Sequence, residues 1–298
     1  MRFGLCCLFV AEPVTFRTTT AKALSALSRR DALAKASAIC LHNAENLLLA
    51  VKAAQRLGIG AFRIMSPLFP RMTHPDVGYN LEDLPDAEAI ARNMADVRDF
   101  AQSRDIRLSL HPDQFVVLSS PHAHVVENSV RELEYHALLA EMVGADVINI
   151  HGGGVYGDKA AALARFAEVF KALPENVSTR LSVENDDVSY TVADLLPMCT
   201  DLSLPLVYDV HHHRCNPDGL GECEATDLAA KTWRGREPYC HISSPREGWR
   251  ANPKPHADYI DLTDVPQCWH GRAMTVDVEA KAKELAVVRL KQDLSERQ

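Results

Sequence analysis

A chain of 298 residues exceeds an ordinary small domain and fits one α/β barrel of roughly 250 residues, so a single domain over residues 1–298 is expected. Its composition, 47% apolar and 24% charged, excludes the disordered and fibrous classes. A formal net charge of −8 excludes a broadly basic nucleic-acid binder, unless divalent ions supply positive charge where a phosphate would sit.

In chain order, strand-like runs fall at residues 2–9, 61–65, 106–110, 146–150, 180–183, 205–208, 239–242 and 272–278. Between them, stretches such as residues 46–57, 130–143, 161–173 and 279–290 carry apolar residues at three- and four-residue spacing and read as crossover helices. Alternation with a period of roughly 30 to 40 residues suits a parallel sheet, and eight units predict a (β/α)₈ TIM barrel. Two connections, residues 14–38 and 243–266, are long, and long barrel loops gather at the active face. An open doubly wound sheet would need a nucleotide-loop glycine spacing that Gly152-Gly153-Gly154 lacks.

No segment approaches the ~18 consecutive apolar residues of a membrane span, and residues 1–10 are too short for a leader, so a cytoplasmic protein without a membrane partner is expected. Eight cysteines are scattered without a CxxC pair, which predicts reduced thiols, with Cys215 and Cys223 as spectators.

The chemistry is positional. Strand after strand ends in a metal-type ligand: His111, His151, Glu184, Asp209 with His212, His241 and Glu279. In a barrel the strand ends share one mouth, so six of them would converge on the carboxyl-terminal rim. Burying so many ionisable groups without a cation would be costly. Imidazoles and carboxylates without clustered thiolates suit Zn²⁺, Mn²⁺ or Fe²⁺, and bridging carboxylates suit two or three ions. Such a centre lowers the pKa of bound water and stabilises a leaving oxygen, which fits phosphodiester hydrolysis. The same residue types would also serve a sugar isomerase or a multinuclear iron oxidase on this barrel, both acting on small molecules.

The motifs favour the first of these. Phe62-Arg63-Ile64 leading to Pro70 and His74, His111-Pro112-Asp113-Gln114-Phe115, His151-Gly152-Gly153, Glu184-Asn185-Asp186, Asp209-x-x-His212-His213, Thr232-Trp233-Arg234-Gly235-Arg236, His241-Ile242-Ser243-Ser244, His256-Ala257 and Val278-Glu279-Ala280-Lys281 run nearly end to end. With them the chain resembles the UV-damage endonucleases and, more distantly, the metal-dependent apurinic endonucleases. The resemblance implies a trinuclear centre, commonly of manganese. His111 and His151 would hold one ion, Glu184 would bridge to a second held by Asp209, His241 and Glu279, and His212 with His256 would hold the third. Glu184, Asp209 and Glu279 are then the catalytic carboxylates, and a bridging water would attack 5′ to a lesion in double-stranded DNA. His74 matches a family histidine near the scissile phosphate.

Departures from the family pattern mark further candidate substrate contacts. Gln114-Phe115 stands where the family has a Gln-Tyr probe, and Leu5 and Phe9 stand where it has a tyrosine and an asparagine facing the lesion. Tyr239 replaces a lysine that the family can carry carboxylated, and Lys254 occupies a place where apurinic endonucleases put an aspartate ligand. A paralogue with a small-molecule substrate, or a damage-binding protein without chemistry, are the other readings, and a monomer is expected.

Other residues are weighed by position. His136 is expected on a helix face or buried without metal, and of the run His211, His212 and His213 only His212 is taken as a ligand, because successive residues cannot all face one ion. His42, His122, His124 and His270 are expected to face solvent. Arg234, Arg236, Arg246, Arg250 and Lys254 form a basic group in loops around the seventh strand, suited to a phosphate backbone, and Trp233 and Trp249 would pack those loops or touch bases.

Overall fold

The computed structural model describes residues 1–296. Eight strands follow the chain: β1 Arg2–Cys6, β2 Ala61–Ile64, β3 Arg107–Leu110, β4 Val147–His151, β5 Leu181–Glu184, β6 Leu206–Asp209, β7 Tyr239–Ile242 and β8 Thr275–Val278. Each pairs in parallel with the next, and β8 returns to β1, which closes an eight-stranded barrel. The strands are short and buried almost throughout, as a parallel sheet covered on its outer face requires.

The helices are α1 Ala21–Ser25, α2 Arg29–Arg56, α3 Ala87–Ser103, α4 Ala123–Val143, α5 Lys159–Lys171, α6 Glu175–Ser178, α7 Val192–Leu202, α8 Val210–Cys215, α9 Glu222–Thr232 and α10 Glu284–Ser295. They cover the barrel through one continuous apolar core that includes Leu47, Val51, Met94, Leu133, Phe166, Leu195 and Val287.

The chain departs from the sequence expectation in several places. More than half of the long connection at residues 14–38 is helical, because Thr20 caps α1 and the Ser28 side chain accepts from Asp31 N to start α2 at Arg29, well before the expected residue 46. The last helix begins at Glu284 rather than residue 279, since Lys283 at φ +52° interrupts the turn. The thiols are not all reduced: Cys223, in the first turn of α9, and Cys268, in the short 3-10 segment Gln267–Trp269, form a disulfide across 45 residues with Cα atoms 5.8 Å apart. The other six cysteines are free. Among the described residues no helix is long and apolar enough to cross a membrane.

The basic group divides between the two ends of the barrel. Arg234 and Arg236 precede β7 and so lie at the amino-terminal face, where they bond to Ser203 and to Asp146. Trp233 is buried there and donates to Leu206 O. Arg246, Arg250, Lys254 and Trp249 remain on the opposite face, in the loop after β7.

Candidate metal centre

His111, His151, Glu184, Asp209, His241 and Glu279 sit within one residue of the last residue of their strands, where closure of the barrel points successive strand ends inward. His212 follows in the helix after β6, and His256 comes from the loop after β7. Glu184, at the end of β5, is the hub. Its Oε2 lies 3.2 Å from His111 Nε2 and accepts from Asn149 Nδ2 at 2.5 Å. Its Oε1 lies 3.0 Å from His241 Nδ1 and 3.3 Å from His212 Nδ1.

Two groups of ligand atoms gather within metal-binding reach, His111–His151–Glu184 and Glu184–Asp209–His212, and both use Glu184. A carboxylate common to two ligand sets is what a binuclear centre needs. The ring continues from His241 to Glu279 Oε1 at 3.6 Å, and from Glu279 Oε2 to His256 Nδ1 at 3.8 Å.

Local folding explains the Asp209-x-x-His212 spacing. Asp209 ends β6 and caps α8, accepting from His212 N at 2.8 Å, so that the first turn returns the His212 ring over the same carboxylate. Asn185 holds the Asp209 peptide on both sides, donating to its carbonyl and accepting from its N–H at 2.9 Å each. Of the flanking histidines, His213 is satisfied structurally, 2.8 Å from Tyr208 Oη and 3.4 Å from Asp218.

The donor set fits cations on two counts. His151 Nδ1 and Asp209 Oδ2 are buried without a hydrogen-bond partner, as are both ring nitrogens of His211. Each orphan of that kind costs about 1–3 kcal/mol unless something else satisfies it. The charge balance is also short of positive charge: Glu184, Asp209, Asp277 and Glu279 converge here, and Arg63 is the permanent cation that touches them.

Protonation follows from this surplus. Burial alone would raise the Glu184 carboxyl, but the charges of His241 and His151 and the bonds from His111 and His212 hold it well below its ordinary range. Burial opposes charge on His212 too, yet Asp209 and then Glu184 lift its ring from 6.5 to about 11. His241 is raised in the same way, against burial, by Glu184. Burial opposes charge on His151 and lowers its ring, with Glu184 acting the other way. His212 therefore holds a proton that an entering cation has to displace.

The pattern that defines the family described as UV-endonuclease UvdE matches residues 1–298. The chain belongs to the UvdE family. It is 32% identical over 309 residues to the UV DNA damage endonuclease of Bacillus velezensis, covering 99% of this chain and 94% of that protein. A solved relative described as SacUVDE superposes with a TM-score of 0.86 at 29% identity, covering 99% of this chain and 98% of that one. Endonuclease IV from Thermus thermophilus shares the barrel at a TM-score of 0.65 and 16% identity, covering 99% and 100% of the two chains.

In this UvdE-family barrel the remaining candidates fall into three settings. A cavity of about 410 Å³ opens over the centre, lined by Cys7, Arg63, His111, Asp113, Gln114, His151, Glu184, His212 and Glu279. Phe115 stands beside it at the tip of the β3–α4 loop, 77% exposed. His74 lies in a second cavity of about 790 Å³ on the other side of that loop, with Phe115 and Asp113 also in its wall. Phe9 is half-buried and stacks on Phe62 at 5.9 Å. Lys254 pairs with Asp187 at 3.0 Å.

Leu5 and Tyr239 are different: both are fully enclosed by the fold, at 0% and 1% exposure. Neither offers surface to a substrate, which corrects the expectation that they touch one. They also supplied the motive for a small-molecule substrate. The histidines outside the mouth follow expectation. His122, His124 and His270 are exposed and His42 is partly so, while His136 is buried against Ser66 Oγ at 2.8 Å and Glu132 O at 2.6 Å.

The sequence reading missed Arg63, Asn149, Asn185, Asp277 and His211 as members of the site. A signal for two of them was present. Strand residues two apart face the same side, so Asn149 under His151 and Asp277 under Glu279 belong to a polar layer directly below the ligands.

Proposed function

We propose that this protein is a metal-dependent endonuclease that hydrolyses the phosphodiester 5′ to a UV photoproduct in double-stranded DNA. The observation that carries the reading is Glu184, common to two sets of ligand atoms at the floor of an open cavity beside an exposed aromatic side chain. Family membership over the whole chain supports the same substrate, since its relatives are UV DNA damage endonucleases.

In this reading His111, His151 and Glu184 hold one ion, and Glu184, Asp209, His241 and Glu279 hold a second. His212 and His256 serve a third. Mn²⁺ is the ion we assign, from the family resemblance and a donor set of imidazole and carboxylate; the same donors accommodate Zn²⁺ and Fe²⁺. Such ions supply a water of lowered pKa and positive charge for the departing oxygen.

The chain's own residues do the rest. Asn149 and Asn185 hold Glu184 and the Asp209 peptide so that neither rearranges as charge develops. Phe115, rigid and apolar, inserts where damaged bases have left the stack, and Gln114 beside it offers an amide to the bases that remain. Arg246, Arg250 and Lys254 supply positive charge to the DNA backbone on the side of β7.

The test is a duplex carrying one photoproduct, incubated with the Mn²⁺-loaded protein, with an undamaged duplex and a chelated sample as controls. A single nick immediately 5′ to the lesion, absent from both controls, is expected. Protein that binds Mn²⁺ and leaves the damaged strand intact would overturn the reading.

A further inference from the structure

Below the ligands, a buried hydrogen-bonded chain crosses the barrel from β3 to β7, β8 and β2 and returns to Glu279. Ser109 Oγ lies 2.9 Å from Tyr239 Oη, and Tyr239 Oη donates to Asp277 Oδ1 at 3.0 Å. The tyrosine has one proton and spends it on the carboxylate, so Ser109 is the donor in the first contact. The other oxygen of Asp277 accepts from Arg63 Nε at 2.9 Å, and Arg63 Nη2 donates to Glu279 Oε1 at 2.6 Å. Asp277 is fully buried, with the side chain of Arg63 10% and that of Glu279 18% exposed.

Both oxygens of Asp277 are therefore fixed, one by a hydroxyl and one by a guanidinium. A guanidinium is a planar fork, so anchoring Nε also orients Nη2. Arg107 secures the far end, its guanidinium 4.8 Å from the Tyr239 ring centre. On the fourth side Gly4 leaves the space open. A Cβ there would come within 2.0 Å of Asp277 Oδ1, so that no larger residue fits in β1 without moving the carboxylate.

Glu279 needs such support. It lies one residue beyond β8, where the sheet no longer constrains its side chain, and its backbone is held through Glu279 N to Ile242 O at 2.8 Å. From the geometry we infer that Ser109, Tyr239, Asp277 and Arg63 form a positioning relay. It presents the Glu279 carboxylate to the metal centre already oriented, and Tyr239 serves it as a structural donor. The inference rests on the reading of Glu279 as a ligand. It assigns a role to a tyrosine that meets the centre only through other residues, and to an arginine that touches Glu279 and His241 directly.

The experiment measures ion binding directly. Chelator-stripped protein is titrated with Mn²⁺ while the free ion is followed by electron paramagnetic resonance, for the wild type, Arg63→Met, Arg63→Lys and Tyr239→Phe. The relay predicts that R63M weakens one class of sites by about 10–100-fold, as loss of an outer partner does, with R63K between R63M and the wild type. Y239F removes one oxygen and keeps the ring; it should weaken the same class by about tenfold, the lower end of that range. Should R63M fail to fold, Y239F and R63K carry the test.

Unchanged Mn²⁺ affinity in the folded variants would overturn the inference. So would tighter binding by R63M, because Arg63 would then be a stand-in that competes with the ion. A wild type that binds no Mn²⁺ defeats the metal reading itself, which is a separate outcome.

Discussion

The two ends of the barrel use the same kinds of side chain to opposite effect. At the amino-terminal end Arg2 pairs with Glu237 at 3.0 Å and with Asp105 at 3.1 Å, and Arg107 pairs with Asp146 at 2.8 Å. Arg107 also donates to Glu237 O and Thr275 Oγ1, while Arg236 donates to Asp146 O. Cations and carboxylates there are balanced, and the donors find acceptors. At the carboxyl-terminal end four carboxylates face one guanidinium, and His151 and Asp209 keep buried atoms without partners. A polar barrel end that satisfies itself closes the fold; one that cannot do so is built to receive cations.

That contrast can be broken at its strongest point with Glu184→Gln. Removing the common carboxylate should reduce nicking of a photoproduct duplex at least about a thousandfold, the several kcal/mol expected of metal-assisted catalysis. Mn²⁺ stoichiometry should fall in the same samples. The chelated variant should melt below the chelated wild type, because the Glu184 carboxylate is held ionised by the histidines around it. Unchanged nicking and unchanged Mn²⁺ stoichiometry would mean that the carboxyl-terminal end does not depend on the shared carboxylate.

At the other end the expectation reverses. Arg107→Met keeps the apolar stem but abandons Asp146, Thr275 and the Glu237 carbonyl; Asp146 is half-exposed and can turn to water, so the loss should be about 2 kcal/mol of unfolding free energy. Urea unfolding in chelator reads it. Mn²⁺ affinity should fall far less than in R63M, because Arg107 meets the relay only at the Tyr239 ring, and a loss as large as that of R63M would show that the two ends are not separable.

Smaller still, read per unit of pH, is a slope in stability. In the ion-free protein His212 has a folded pKa of about 11 against 6.5 unfolded. Its folded value is raised, so its contribution is complete below pH 6.5 and is lost as pH climbs towards 11. Chelated protein should therefore lose stability over that window at no more than about 1.4 kcal/mol per pH unit, the slope of one proton. His212→Gln should flatten it. Apparent Mn²⁺ affinity should move the opposite way and rise with pH, because the ion displaces the proton.

Much of this was legible in the linear chain. Strand ends can be read locally, since a short β-rich run followed by His, Asp or Glu places that residue at the rim whatever the rest of the fold does. His111, His151, Glu184, Asp209, His241 and Glu279 all follow that rule. Chain order also shows which end a loop occupies, and by that rule Arg234 and Arg236, which precede β7, belong to the amino-terminal face. The start of α2 was signalled by Ser28 with Asp31, although the alanine-rich helix that follows has little apolar periodicity to confirm it.

Residue types, their alternation and their order along the chain thus determined an eight-unit barrel with a ligand-bearing rim. Only the tertiary structure decided which rim residues share an ion-sized space, that Leu5 and Tyr239 are buried away from any substrate, that Cys223 meets Cys268, and that Tyr239 reaches Glu279 by way of Asp277 and Arg63. The reason is register. Alternation along a strand fixes a side chain's direction, but its partner across the barrel depends on closure and stagger, which many distant residues set together.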